Sequence, residues 1–199
     1  MKGVAAVLCA ALLAACASSD PPHRYFVLDG RMAPTRSPAA SAPAPANDAT
    51  LLVAPVEAPA FYRTRELAYS KAAGTRGYYQ YNSWTEPPAV AVGSALMARL
   101  AGSGAFRAVA PTSSGVNGTI LLRVQLDDLY HDATTSPGVA RVALTAQLSD
   151  PLRRTLIATR SFAAAAPATS YDADGAVAGL RQALDLALAD LVTWAAARR

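Results

Sequence analysis

Thr119-Ile120-Leu121-Leu122-Arg123-Val124-Gln125-Leu126-Asp127-Asp128-Leu129-Tyr130 is the stretch on which the fold turns. Ile120, Leu122, Val124, Leu126 and Tyr130 fall on one side of a period of two, and Arg123, Gln125 and Asp127 on the other. That alternation predicts a long strand with one dry and one wet face. Ser136-Pro137-Gly138 then turns the chain into residues 139–149, where Val142, Leu144, Ala146 and Leu148 alternate with Arg141, Thr145 and Gln147. This is the expected antiparallel partner, and after the Asp150-Pro151-Leu152-Arg153 turn residues 155–164 complete a meander.

Outward from the meander, the dry face needs a cover. Residues 173–195 carry Val177, Leu180, Leu184, Leu188, Leu191 and Ala195 at helical spacing, opened by Asp172 or Asp174. A second stripe, Val92, Leu96 and Leu100 with Val90 and Met97 beside it, follows Thr85-Glu86-Pro87-Pro88, a helix start with Thr85 or a neighbour as cap, and stops at Gly102-Ser103-Gly104. Residues 66–69 and 77–81 flank the polar Lys71 to Arg76 connection and read as a hairpin. Thr50-Leu51-Leu52-Val53-Ala54 is a short buried strand closed by Pro55, and Tyr25-Phe26-Val27-Leu28 another that ends at Asp29-Gly30. The fold class expected is α/β: a mixed, largely antiparallel sheet with two amphipathic helices packed on one face.

The first residues have a different character. Lys2 precedes an apolar run from Val4 to Leu13, too short to span a bilayer, and Leu13-Ala14-Ala15-Cys16 follows. This resembles the bacterial lipobox, in which the cysteine is acylated and becomes the first residue of the mature chain. Ala14 and Ala15 are small, as such a site requires, whereas Cys9 follows Leu8 and is expected to leave with the leader. Two or three acyl chains hold a protein firmly, at about 0.8 kcal/mol for each buried methylene. The segments expected are a signal peptide over 1–15, a lipidated terminus and spacer over 16–24, a short strand joining the domain over 25–30, an Ala/Pro-rich linker over 31–49 and a single α/β domain over 50–199.

The 199 residues carry a formal charge of +4, with no Lys/Arg block dense enough for a nucleic-acid groove. With Cys9 removed and Cys16 lipidated, no thiol is left for a disulfide or a metal, and no cofactor is expected beyond that covalent lipid. The serine-hydrolase elbow, the phosphate loop, the dinucleotide fingerprint and the His-Glu-x-x-His metal motif are all missing, so no enzyme is expected. Asp127, Asp128, His131 and Asp132 form the single acid/histidine grouping, in which strand geometry puts Asp127 and His131 on one face; an envelope hydrolase would have to use it. The aromatic group Tyr69, Tyr79, Tyr81 and Trp84 around the hairpin, and Arg123 and Gln125 on the wet sheet face, are the candidate partner contacts.

The lipobox, the Tyr25-Phe26-Val27-Leu28 and Leu51-Leu52-Val53-Ala54-Pro55-Val56 strands, and the hairpin running into Trp84-Thr85-Glu86-Pro87 together resemble the ABC-type transport auxiliary lipoproteins, partners of the mammalian-cell-entry (MCE) protein transporters. Where that family has an arginine after the hairpin tyrosine, this chain has Ser70 after Tyr69, with Lys71 and Arg76 as the nearby cations; Pro88 replaces an apolar residue. The resemblance implies a periplasmic domain tethered to the outer membrane through Cys16, working with an MCE-domain protein, a permease and an ATPase to move phospholipids or related lipids. Ala17, in place of an acidic residue after the cysteine, fits outer-membrane sorting. The rival reading is a periplasmic lipid carrier with its own apolar pocket.

Overall fold

The computed structural model describes residues 21–29 and 48–198. The lipobox residues Leu13, Ala14, Ala15 and Cys16 and most of the Ala/Pro-rich segment lie outside them. The meander is three long strands, β6 (Ile120–Asp132), β7 (Val139–Asp150) and β8 (Thr155–Pro167), antiparallel along their whole length. β6 also carries the rest of the sheet on its other edge. At its start it pairs parallel with β2 (Thr50–Val53), which pairs with β5 (Ala108–Pro111). At its end, Tyr69 and Ser70 of β3 (Glu66–Ser70) sit opposite His131 and Asp132. β3 forms the expected hairpin with β4 (Gly77–Trp84), and β1 (Arg24–Phe26) closes that edge parallel to β4. The long ladders are antiparallel and the short ones mostly parallel.

One departure from strict alternation matters. A β-bulge between Leu126 and Asp128 inserts an extra residue into β6, so the phase of the strand reverses. Ile120, Leu122, Val124 and Leu126 face the core as expected, but beyond the bulge Leu129 and His131 point inward while Tyr130 turns out. Asp127 and His131 are therefore on opposite sides, contrary to the expectation from a regular strand.

Two helices cover the dry face: α1 (Pro88–Gly102) and α2 (Ala173–Ala196). Val92, Leu96 and Leu100 of α1 and Val177, Leu180, Leu184, Leu188 and Leu191 of α2 are buried in a single core with the inward residues of β6 and β7. Each such side chain contributes about 1.5–3 kcal/mol relative to exposure. An ion pair between Arg99 and Asp185 joins the two helices. Asp172 caps α2, accepting the Gly175 N–H at 2.9 Å. Thr85 does not cap α1: the position belongs to Pro87, without a side-chain bond, and the Thr85 N–H instead donates to the Phe26 carbonyl at 2.8 Å, lengthening the β1 ladder. With Pro88 as its first residue, the helix lacks one amide that would otherwise need an acceptor.

Candidate functional site

The end of the sheet where β3 stops, β4 starts and β6 finishes gathers aromatic side chains. Tyr69 and Tyr79, on paired strands, meet edge to face with ring centroids 5.1 Å apart. The Lys71 ammonium stands 5.4 Å above the Tyr69 ring. Tyr171, from the loop ahead of α2, donates its hydroxyl to the Ala133 carbonyl at 2.7 Å. Together with Gln80 these residues line an open cleft of about 310 Å³. Neither the Lys71 ammonium nor the Tyr69 hydroxyl has a hydrogen-bond or ion-pair partner among the described residues.

Beneath the cleft lies His131, 0% exposed. Its Nε2 is 2.9 Å from the Pro137 carbonyl, which can only accept, so Nε2 carries the hydrogen. In the neutral ring Nδ1 then accepts from the Tyr79 hydroxyl, 2.7 Å away. Burial pushes the Tyr79 phenol up to about 12, with the Asp172 carboxylate adding to the effect. Tyr79 thus stays a neutral donor locked into the floor of the cleft.

On the other side of the hairpin a second group is fully committed to itself. Tyr78 stacks on Phe61 at 4.4 Å and donates to the Phe61 carbonyl. The Tyr62 hydroxyl donates to Asp128 at 2.8 Å, and the Arg76 guanidinium bridges Tyr62 and Asp128 while lying 3.6 Å over the Tyr130 ring. Burial raises Tyr62 to about 12. The bulge makes this possible, because it turns Asp128 and Tyr130 toward the hairpin. Of the two cations near the missing arginine, Arg76 is spoken for and Lys71 is the one at the cleft.

The remaining expected contacts are separated by the fold. Arg123 and Gln125 stand on the open sheet face, in a groove shared with Pro55, Glu57, Thr145 and Gln147. An adjoining groove of about 500 Å³ continues past Arg123 to Arg154 and Leu156 at the β7–β8 turn. Tyr81 is half-buried on β4. Trp84 is 0% exposed and belongs to the core, where a large apolar ring gains most, so as folded it cannot touch a partner. Asp127 accepts from Thr145 at 2.6 Å and from Gln125 at 2.9 Å, apart from the buried His131, so the hydrolase grouping is not assembled. Among the described residues no set of three or more His, Cys, Asp or Glu is placed to hold a metal ion. His131 and Tyr171 were not among the expected contacts. No local pattern marks Tyr171, which joins the cleft only through the packing of α2.

A family model for the ABC-type transport auxiliary lipoprotein component matches residues 26–192, from β1 into α2. The chain belongs to that family. Its fold is shared with solved structures. Protein XCC0632 from Xanthomonas campestris aligns at TM-score 0.71 and 23% identity, covering 77% of this chain and 87% of that one. PelC from Paraburkholderia phytofirmans, solved as a dodecamer, aligns at TM-score 0.50 and 13% identity over 80% of this chain and 96% of its own. The hypothetical protein CT253 from Chlamydia trachomatis gives TM-score 0.50 at 8% identity over 76% and 98%. No curated protein matches in sequence. The family is one of lipoproteins that serve ABC transport as auxiliary components. Among the described residues no helix is long and apolar enough to cross a membrane.

Proposed function

We propose that the protein is an accessory subunit of an MCE-type ABC transport system, held by acyl chains on Cys16 at the periplasmic face of the outer membrane, where it helps to move phospholipids or related lipids across the envelope. The observation that carries this reading is the family match over residues 26–192, which takes in nearly every element of the fold. The Leu13-Ala14-Ala15-Cys16 sequence supports the anchor. ATP is hydrolysed by another subunit in this scheme, and the domain contributes position and a docking surface. The open sheet face suits docking: Arg123 has no partner among the described residues, and the exposed Gln125 and Gln147 flank it.

A photo-crosslinking residue at Gln125 in intact cells, followed by mass spectrometry, tests the docking; an adduct with an MCE-domain protein is expected. Cys16→Ser is expected to release the chain into the soluble periplasm and to impair lipid transport. Full transport by unlipidated protein at native abundance would overturn the reading. Lipid co-purifying in native mass spectra with the Cys16→Ser chain, without any MCE adduct, would favour a carrier instead. The apolar stripes of both helices argue against that, since they are consumed in packing against the sheet.

A further inference from the structure

The pairing of β1 decides which end of the molecule faces the anchor. β1 runs parallel to β4 with Arg24 opposite Asn82 and Phe26 opposite Trp84. The chain ahead of Arg24 therefore leaves toward the Gly77 end of β4, the end that holds Tyr79 and Gln80. Gly77 is opposite Tyr69, and Tyr69 is beside His131, so the tyrosine cleft lies at this same pole. The opposite pole is the β7–β8 turn: Leu121 pairs with Ser149, ten residues before His131 along β6, or about 33 Å at the rise of a strand. Cys16 precedes Arg24 by eight residues, which reach at most about 28 Å. An acylated Cys16 therefore holds the domain to the membrane on a short tether that leaves β1 in the direction of the cleft.

The chemistry of that pole suits a lipid–water boundary. Tyr171 is 49% exposed there, and tyrosine rings with one apolar body and one polar tip favour the headgroup layer. Asp172, the carboxylate that acts on Tyr79, is already engaged by the Ser170 hydroxyl and the Gly175 amide. Lys71 and the Tyr69 hydroxyl stand at the mouth as donors with no hydrogen-bond or ion-pair partner among the described residues. The volume, about 310 Å³, is that of a small-ligand site.

We propose that this cleft holds the phosphate of a phospholipid headgroup drawn from the membrane to which the chain is tethered, with Lys71 and Tyr69 donating to the phosphate oxygens and the Tyr79 and Tyr171 rings packed on the adjoining carbons. The assignment rests on the anchored reading above. Lys71, exposed at the mouth, supplies the charge, and a hydrogen bond between an ammonium and a phosphate oxygen is stronger than one between neutral groups. His131 acts through Tyr79 as a positioning residue: it fixes the phenol that forms the floor.

The test uses the full lipidated chain in cells, with a photoreactive benzophenone amino acid at Gln80 or, at the far pole, at Leu156. A phospholipid adduct is expected at Gln80 and not at Leu156. Lys71→Glu is expected to lower the Gln80 adduct by at least about fivefold, the ratio that one cation contributes at an anionic surface. Tyr69→Phe, which removes only a hydroxyl, is expected to lower it less. Lys71 is exposed, so the fold of the variant is checked by an unchanged melting curve. Fractionation of the same cells reads the anchor separately. Chain found in the soluble periplasm refutes the anchored reading. Chain in the membrane that gives no lipid adduct at Gln80, an adduct indifferent to Lys71→Glu, equal adducts at both poles, or a protein adduct at Gln80 instead, refutes the cleft assignment alone.

Discussion

The Tyr79 hydroxyl lies 2.7 Å from Nδ1 of the fully buried His131, which fastens the hairpin to the end of β6. Tyr79→Phe would leave that nitrogen without a partner and out of reach of water. The expected loss of stability is about 1–3 kcal/mol, read from urea unfolding. Tyr69→Phe, which breaks no hydrogen bond among the described residues, is expected to stay within about 0.5 kcal/mol. Equal costs for the two would show that the Tyr79–His131 bond contributes nothing.

Trp84 offers a contrast between size and polarity. Its indole N–H is buried without an acceptor among the described residues. Trp84→Ala should cost about 3–5 kcal/mol through the cavity it leaves. Trp84→Phe should cost only about 1–2 kcal/mol, because the smaller ring also removes an unsatisfied donor. A phenylalanine variant as unstable as the alanine variant would mean that the N–H is satisfied in solution.

Gly138 and Gly74 both have positive φ, +92° and +73°. A Cβ at Gly74 meets open space, so Gly74→Ala is expected to cost about 1 kcal/mol from the backbone alone. A Cβ at Gly138 would collide with the His131 ring and the Asp132 carbonyl, and Gly138→Ala is expected to exceed about 3 kcal/mol. Thermal melts of the two variants make the comparison, and similar shifts would contradict the packing around His131.

Alkali should loosen the fold through two phenols. Tyr62 and Tyr79 titrate at about 12 in the native state against 10.0 for a free tyrosine, chiefly because burial disfavours the phenolate. The native state therefore holds its protons longer than the unfolded chain. Their contribution is fully present below pH 10 and is lost as pH rises toward 12. Urea midpoints across that window should fall, and fall less steeply in Tyr62→Phe and Tyr79→Phe; slopes unchanged by both substitutions would place the alkaline sensitivity elsewhere.

The meander, the hairpin and both helices could be read from residue periodicity because each draws its pattern from neighbours in the chain. The Ile120 to Leu126 alternation and the Val177 to Leu191 stripe are local signals of that kind. The bulge was not legible: Asp127-Asp128 is as polar on one side of a strand as on the other, so nothing in the pattern marks the phase change that buries His131. The parallel pairings of β1 and β2 join residues far apart and leave no periodic trace. For the same reason the cleft was only half visible. Tyr69 and Tyr79 announce themselves in the hairpin, whereas Tyr171 is brought to them by the docking of α2. Trp84 misled because its aromatic neighbours are half-wet and it is not.

β6 joins two groups of strands that share no ladder with each other, β1–β4–β3 and β2–β5. A chain made from its amino terminus carries both groups before the strand that unites them exists. Until residue 120 onward is available, the β3 and β2 edges that β6 will occupy have no mate, and edges in that state invite pairing with other chains. Completion of this sheet is thus a late, all-or-nothing event set by its carboxyl-terminal half, and a product cut short ahead of Ile120 would be an aggregation hazard instead of a smaller working domain.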